Sequence, residues 1–224
     1  DLAKGIAILA THPGELTTYA TIEGGSARIT ERAAPLIAVP TTSGTGSEVA
    51  RGAIIILEDG RKLGFHSWHL LPKSAICDPG LTLGLPAGLT AATGMDALSH
   101  CLEAYCANAY HPMAEGIAVE GIRLVKGFLP RAVANGEDLE ARTQMLVASA
   151  MGATAFQRGL GAMHAIAHSL GALYDAHHGT LNAILMPYVL QANRSVLEER
   201  ITRLARYLDL PEPGFDAFLQ WVLV

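Results

Sequence analysis

The sequence predicts an α/β part followed by an all-α part, with the change near residue 87. Three observations carry this. Short apolar runs broken by Gly and Pro fill the first part, the pattern of brief strands and turns. From Pro86 onward, apolar residues recur at helical spacing. Four residues with metal-ligand chemistry, Asp96, His100, His164 and His178, all fall in the second part.

The elements follow in order. Residues 2–10, LAKGIAILA, predict one or two helical turns, and Gly24-Gly25-Ser26 predicts a turn. Leu36-Ile37-Ala38-Val39 before Pro40 predicts a buried strand. Ala53 to Leu57, the turn signal Glu58-Asp59-Gly60, and Lys62 to Phe65 predict a hairpin. Ser74 to Asp78 predicts a third strand, closed by Asp-Pro-Gly.

In the second part, Thr90 to Asn108 is Ala-rich and free of Pro. Ile117 to Leu129 keeps helical spacing until Pro130. Leu139 to Phe156 predicts a helix after the Asn135-Gly136 break. Gly159 to Tyr174, apolar with small residues, predicts a helix buried on most sides. Ser195 to Glu198 has the form of a capping box, Glu199 and Arg203 are an i,i+4 pair, and Leu210-Pro211 ends that helix.

Composition narrows the function. A chain of 224 residues, half of them apolar, can bury a sizeable core. The 16 basic residues are outnumbered by 21 acidic ones and form no run, which argues against a nucleic-acid surface. The three cysteines, Cys77, Cys101 and Cys106, fit no disulfide framework and no C-x-x-C metal site. Cys101 and Cys106 are most simply small buried groups. No uncharged stretch is both long and unbroken enough to span a membrane, and no signal peptide opens the chain, so cytoplasm is the expected compartment.

The ligand set is the most informative pattern. Asp96 and His100 stand four apart in GMDALSHCLEAY, so on a helix they share a face. His164 and His168 repeat that spacing in HAIAH, on a segment otherwise made of apolar and small residues. Burying two imidazoles there without partners would cost a few kcal/mol each. His178 follows fourteen residues after His164, past a turn that lets it fold back. An Asp/His₃ set suits a divalent metal with an open position. His168 then fits a proton relay or a cofactor contact rather than a fifth ligand. His66, Trp68 and His69 read as a surface loop that at most rims a site.

Pro40-Thr41-Thr42-Ser43-Gly44-Thr45-Gly46-Ser47-Glu48 leaves a strand and offers backbone N–H groups and hydroxyls to an anion, with a helix expected at Glu48-Val49. It matches neither the Rossmann fingerprint nor the P-loop.

Taken together, PTTSGTGSEV at 40–49, DPGLTLGLP at 78–86, GMDALSHCLEAY at 94–105 and the stretch from Gly159 to Leu190 resemble the iron-containing, group III alcohol dehydrogenases. Asp1-Leu2-Ala3-Lys4 is similar to the end of that family's glycine-rich segment. The resemblance implies a dehydroquinate synthase-like architecture: a partial NAD(P)-binding α/β domain over 1–86 and a helical metal-binding domain over 87–224. It implies Asp96, His100, His164 and His178 as ligands, with His168 near nicotinamide and substrate. Thr41, Thr42, Thr45, Gly46, Ser47, Lys62 and Leu83 would line the cofactor. Family members begin earlier and run on past residue 224, so the sequence reads as a piece of a longer chain. Ser169 stands where the family often has Pro, a difference expected to affect helix bending.

The expected activity is reversible hydride transfer between a small alcohol and NAD or NADP. Iron(II) is favoured by the resemblance, and zinc, manganese, cobalt or nickel is compatible with N/O ligands. A dimer is expected from the family. Metal-assisted hydrolysis or lyase chemistry on the same ligands, and a non-catalytic truncated chain, are the alternatives. The Thr/Gly-rich loop argues for a dinucleotide.

Overall fold

The computed structural model describes residues 1–223. Helix α1 spans Leu2–Leu9 and is followed by three short 3-10 turns at Leu16–Tyr19, Thr21–Glu23 and Gly25–Arg28. The strands are β1 (Ile37–Ala38), β2 (Gly52–Ile56), β3 (Lys62–His66) and β4 (Ser74–Ala75). β2 and β3 form the expected antiparallel hairpin, with Ile54 opposite Gly64, and β1 pairs in parallel with β4. Ile8, Tyr19, Ile29, Phe65 and Leu70 form the core of this part.

The predicted buried strand at Leu36–Pro40 is neither long nor buried. Two residues pair, and Ile37 and Val39 are 69% and 47% exposed. An apolar run shows that a strand is suited to cover, not that cover lies over it. The Ser74–Asp78 strand likewise shrinks to Ser74–Ala75, because the Asp78 carboxylate accepts the Gly80 N–H and starts a 3-10 turn.

The helix expected at Glu48 is absent. The reason is Lys4, a buried lysine on α1. Its ammonium donates to the carbonyls of Ser47, Ala50 and Gly52 at 2.8, 2.6 and 2.8 Å. Turning three carbonyls towards one cation takes them off a common helix axis. One turn earlier, Asp1 accepts from Ser47 Oγ at 2.7 Å and from the Ile54 amide at 3.1 Å. Thus the first turn of α1 anchors the loop and delivers it into β2.

The helical part comprises α2 (Ala87–Cys106), α3 (Pro112–Ala134), α4 (Leu139–Ala155), α5 (Ala162–Tyr174), α6 (His178–Ala192), α7 (Arg194–Tyr207) and α8 (Phe215–Leu223). α2 lies at the centre, packed by α3, α4 and α6, and every residue from Asp96 to Tyr105 is buried. Leu102, Tyr105, Ile122, Met145, Met186, Ile201 and Phe218 build the core around it. Among the described residues, no helix is long and apolar enough to cross a membrane.

Three helix expectations need correction. α3 runs through Pro130 to Ala134. The proline is exposed, so its ring faces solvent while Leu129 and Ala132 keep the inner face packed. α5 is covered on one face only: Met163, His164, Ala167 and Gly171 are buried, whereas Leu173 and Tyr174 are each 74% exposed. Ser195 lies inside α7, whose N-cap is Asn193, so no capping box forms. Glu198 pairs with Arg194 instead, and Arg203 turns from Glu199 to the Glu115 carboxylate and the Tyr105 hydroxyl. Those partners tie α7 to α3 and α2, a tertiary choice that helical spacing cannot express.

Candidate metal centre

The site is assembled from three helices. α2 presents Asp96 and His100 on one buried face, as the spacing predicts. α5 contributes His164, and the first turn of α6 contributes His178. Asp175, with a φ of 51°, turns the chain between α5 and α6. Gly179 allows α6 to start against α2, since a Cβ there would lie 2.0 Å from the Ala92 carbonyl oxygen. That close approach seats His178 beside Asp96.

Asp96 Oδ1 is the hub. It lies 3.5 Å from His178 Nε2, 3.7 Å from His164 Nε2 and 3.9 Å from His100 Nε2. Ligand atoms about 2.1 Å from one tetrahedral metal are separated by roughly 3.4 Å, so these spacings fit donors arranged around a cation. Asp96, His164 and His178 form the tight set, with ligand atoms all within 4.8 Å of one another. His100 sits at its edge, stacked on His164 with ring centroids 4.6 Å apart. The donor set of one carboxylate and up to three imidazoles fits a divalent transition metal.

Electrostatics act on these groups in different directions. Burial works against ionising Asp96, but His100, His164 and His178 outweigh it and hold the carboxyl well below the usual range. Burial, opposed by Asp96, pushes His178 down to about 4. Burial also pulls on His164, yet the carboxylates of Asp96 and Glu103 leave its pKa raised. His168 lies in the same cleft, 4.9 Å from the His178 ring centre, and burial beside Lys62 pushes it down to about 4.

Two residues of this site lie outside the sequence reading. Glu103 is buried and accepts from His164 Nδ1 at 2.7 Å. Asn182 is fully buried and donates to Asp96 Oδ1 at 2.9 Å, with its Nδ2 3.2 Å from His178 Nε2 and 3.4 Å from His164 Nε2. A signal existed for each. Glu103 extends the face of Asp96 and His100 by one more turn, and Asn182 stands four after His178.

The cleft holds about 670 Å³ and opens between the two parts. Thr45, Ser47 and Lys62 line it, together with Asp1, Arg51 and His66. His66 is thus part of the cleft, whereas Trp68 stays exposed beneath the Arg51 guanidinium. Thr41, Thr42, Gly46 and Leu83 are not among the lining residues. Gly46, at a φ of 58°, presses its backbone onto α4, where a Cβ would lie 2.2 Å from Ala153 Cβ. Leu83 sits past the 79–82 turn, its carbonyl facing Gly136 between α3 and α4.

A family model for the C-terminal part of Fe-containing alcohol dehydrogenases matches residues 90–218, and one for iron-containing alcohol dehydrogenase matches 1–79. The chain belongs to the iron-containing alcohol dehydrogenase family. It is 65% identical over 221 residues to a 4-hydroxybutyrate dehydrogenase of Cupriavidus necator, covering 95% of this chain and 58% of that protein. It is 44% identical to a 1,3-propanediol dehydrogenase of Citrobacter freundii, covering 93% of this chain and 53% of that one. The crystal structure of a 1,3-propanediol oxidoreductase superposes with a TM-score of 0.90 at 39% identity, over 98% of this chain and 59% of that one. Sulfoacetaldehyde reductase from Bifidobacterium kashiwanohense in complex with NAD+ superposes with a TM-score of 0.89 at 29% identity, over 99% and 59%. The chain therefore spans somewhat more than half the length of these relatives.

Proposed function

We propose that this chain carries the metal centre and part of the nucleotide site of an NAD(P)-linked alcohol dehydrogenase. The observation that carries the reading is Asp96 Oδ1 with the His164 and His178 Nε2 atoms at metal-ligand spacing and His100 Nε2 at their edge, in a cleft shared with the Thr/Gly loop. Residues 1–86 act as the nucleotide part and 87–224 as the metal part. A bound divalent metal supplies Lewis-acid stabilisation of the substrate oxygen, and a nicotinamide supplies hydride exchange.

The remaining chemistry falls to the protein. Asp96, His100, His164 and His178 hold the metal, iron(II) by family and zinc or another divalent ion by ligand chemistry. Thr45 and Ser47 offer hydroxyls, and Lys62 a cation, to the nucleotide from the cleft wall. Thr41, Thr42, Gly46 and Leu83 lie outside the cleft lining, and their part in holding the nucleotide rests on the family resemblance alone. His168 is neutral at neutral pH and presents a lone pair that relays the alcohol proton. Ile54, Ile56 and Phe156 give the cleft apolar lining that limits water around the reacting carbon. The substrates are small alcohols and their aldehydes, with 4-hydroxybutyrate and 1,3-propanediol the first to test, given the relatives. The active form is a cytoplasmic homo-oligomer, a dimer by family.

The test is metal content by mass spectrometry after anaerobic purification, with NADH and NADPH fluorescence titrations and oxidation assays on both alcohols. Near one metal per chain with nucleotide binding and turnover supports the reading. Absence of metal after anaerobic reconstitution with iron(II) or zinc refutes it.

A further inference from the structure

Of the three imidazoles around Asp96, only His164 has a protein partner on its remote nitrogen. His100 Nδ1 and His178 Nδ1 are buried and unpartnered among the described residues. The Gly44 carbonyl lies close enough to His100 to favour its charged form but makes no hydrogen bond to it. The partner of His164 is Glu103, from the same helix that carries Asp96 and His100.

Both oxygens of Glu103 are already committed. Oε1 accepts from the Met163 amide at 2.7 Å, and Oε2 accepts from the Gly161 amide at 2.9 Å and from His164 Nδ1 at 2.7 Å. One backbone N–H on each oxygen favours the ionised carboxylate, which can only accept. In its neutral form His164 must then carry its proton on Nδ1, which leaves the Nε2 lone pair facing Asp96. The same carboxylate takes two free N–H groups at the start of α5, fixing the helix that delivers the imidazole.

We propose that Glu103 is a positioning residue for the metal centre: it selects the Nδ1–H tautomer of His164 and docks the first turn of α5 so that Nε2 points at the ligand set. The inference rests on the metal reading above for its function, but its tautomer claim is a property of the metal-free chain. Removing a partner of this kind from a metal-binding histidine commonly lowers metal affinity by about 10–100-fold.

Two measurements test it on the full chain. In the first, ¹⁵N chemical shifts of the His164 ring are recorded in the metal-free wild type at mildly alkaline pH. A dominant Nδ1–H form is expected, and a dominant Nε2–H form overturns the proposal whether or not the protein binds metal. In the second, Glu103→Gln is compared with wild type by chelator competition for zinc and by thermal unfolding. A purely structural carboxylate would lower the melting temperature and leave zinc affinity intact. The expected result is a fall of about 10–100-fold in affinity together with loss of Nδ1–H dominance. Unchanged affinity, or lowered affinity with the tautomer intact, overturns it. Wild type without metal would refute the function reading, a result separate from the tautomer outcome.

Discussion

The side-chain amide of Asn182 donates to Asp96 Oδ1 across 2.9 Å, joining two residues 86 apart in the chain inside one buried site. Its Nδ2 also faces the Nε2 atoms of His164 and His178, so a neutral donor stands against the lone pairs that a cation would use. Asn182 thus ties Asp96 to the His164 and His178 rings. Asn182→Ala should leave Asp96 short of a buried donor, costing about 1–3 kcal/mol of stability and lowering metal affinity. Chemical denaturation and metal titration of the variant measure both, and wild-type values in each would remove Asn182 from the site.

α6 brings His178 to the cluster, and the proposed function makes it a metal ligand. His178→Ala should abolish stoichiometric metal binding and turnover while sparing the fold, since its ring is only half-buried at the helix start. Metal analysis and circular dichroism together check this. Full metal retention would exclude His178 as a ligand.

Lys4 ties α1 to the loop that enters β2. Lys4→Met would leave three carbonyls without their shared donor. The expected cost is about 2–4 kcal/mol, together with weaker NADH binding because Thr45 and Ser47 lose their anchor. Lys4→Arg cannot place three donors on one point and should rescue little. The measurements are denaturant midpoints and fluorescence titrations, and an unaltered NADH affinity in Lys4→Met would count against the anchoring role.

The histidines set a pH dependence whose sign can be worked out. His168 and His178 have folded values near 4, below the ordinary value of 6.5. Between about 6.5 and 4 the unfolded chain takes up protons that the folded chain refuses, so metal-free stability falls as pH drops through that window. His164 has the opposite sign. Its folded value is raised, so its contribution is present below 6.5 and is lost as pH rises through the folded value. Thermal unfolding in chelator should show the acid loss strongly in wild type and less in His168→Ala. Equal acid slopes in the two proteins would contradict the account.

Much of the site was legible in the sequence because it obeys helical periodicity. Asp96 and His100, like His164 and His168, share faces through spacing alone, and the hairpin at 52–66 follows from its turn residues. Elsewhere distant residues override the local pattern. The Thr/Gly loop looked like the approach to a helix, but Lys4, more than forty residues earlier, claims its carbonyls. Arg203 had an acidic neighbour at the favoured spacing, yet Glu115 on another helix takes it.

The sequence by itself determined which residue types face together along each helix and hence which of them can act as ligands. Periodicity is a local property of the backbone, so it can be read without knowing what the helix packs against. Only the tertiary structure decided that Glu103 and Asn182 complete the set, that Thr45, Ser47 and Lys62 reach the cleft, and that one face of α5 stays bare. Those outcomes depend on side chains from distant segments competing for the same buried donors and acceptors, and such competition is resolved by packing.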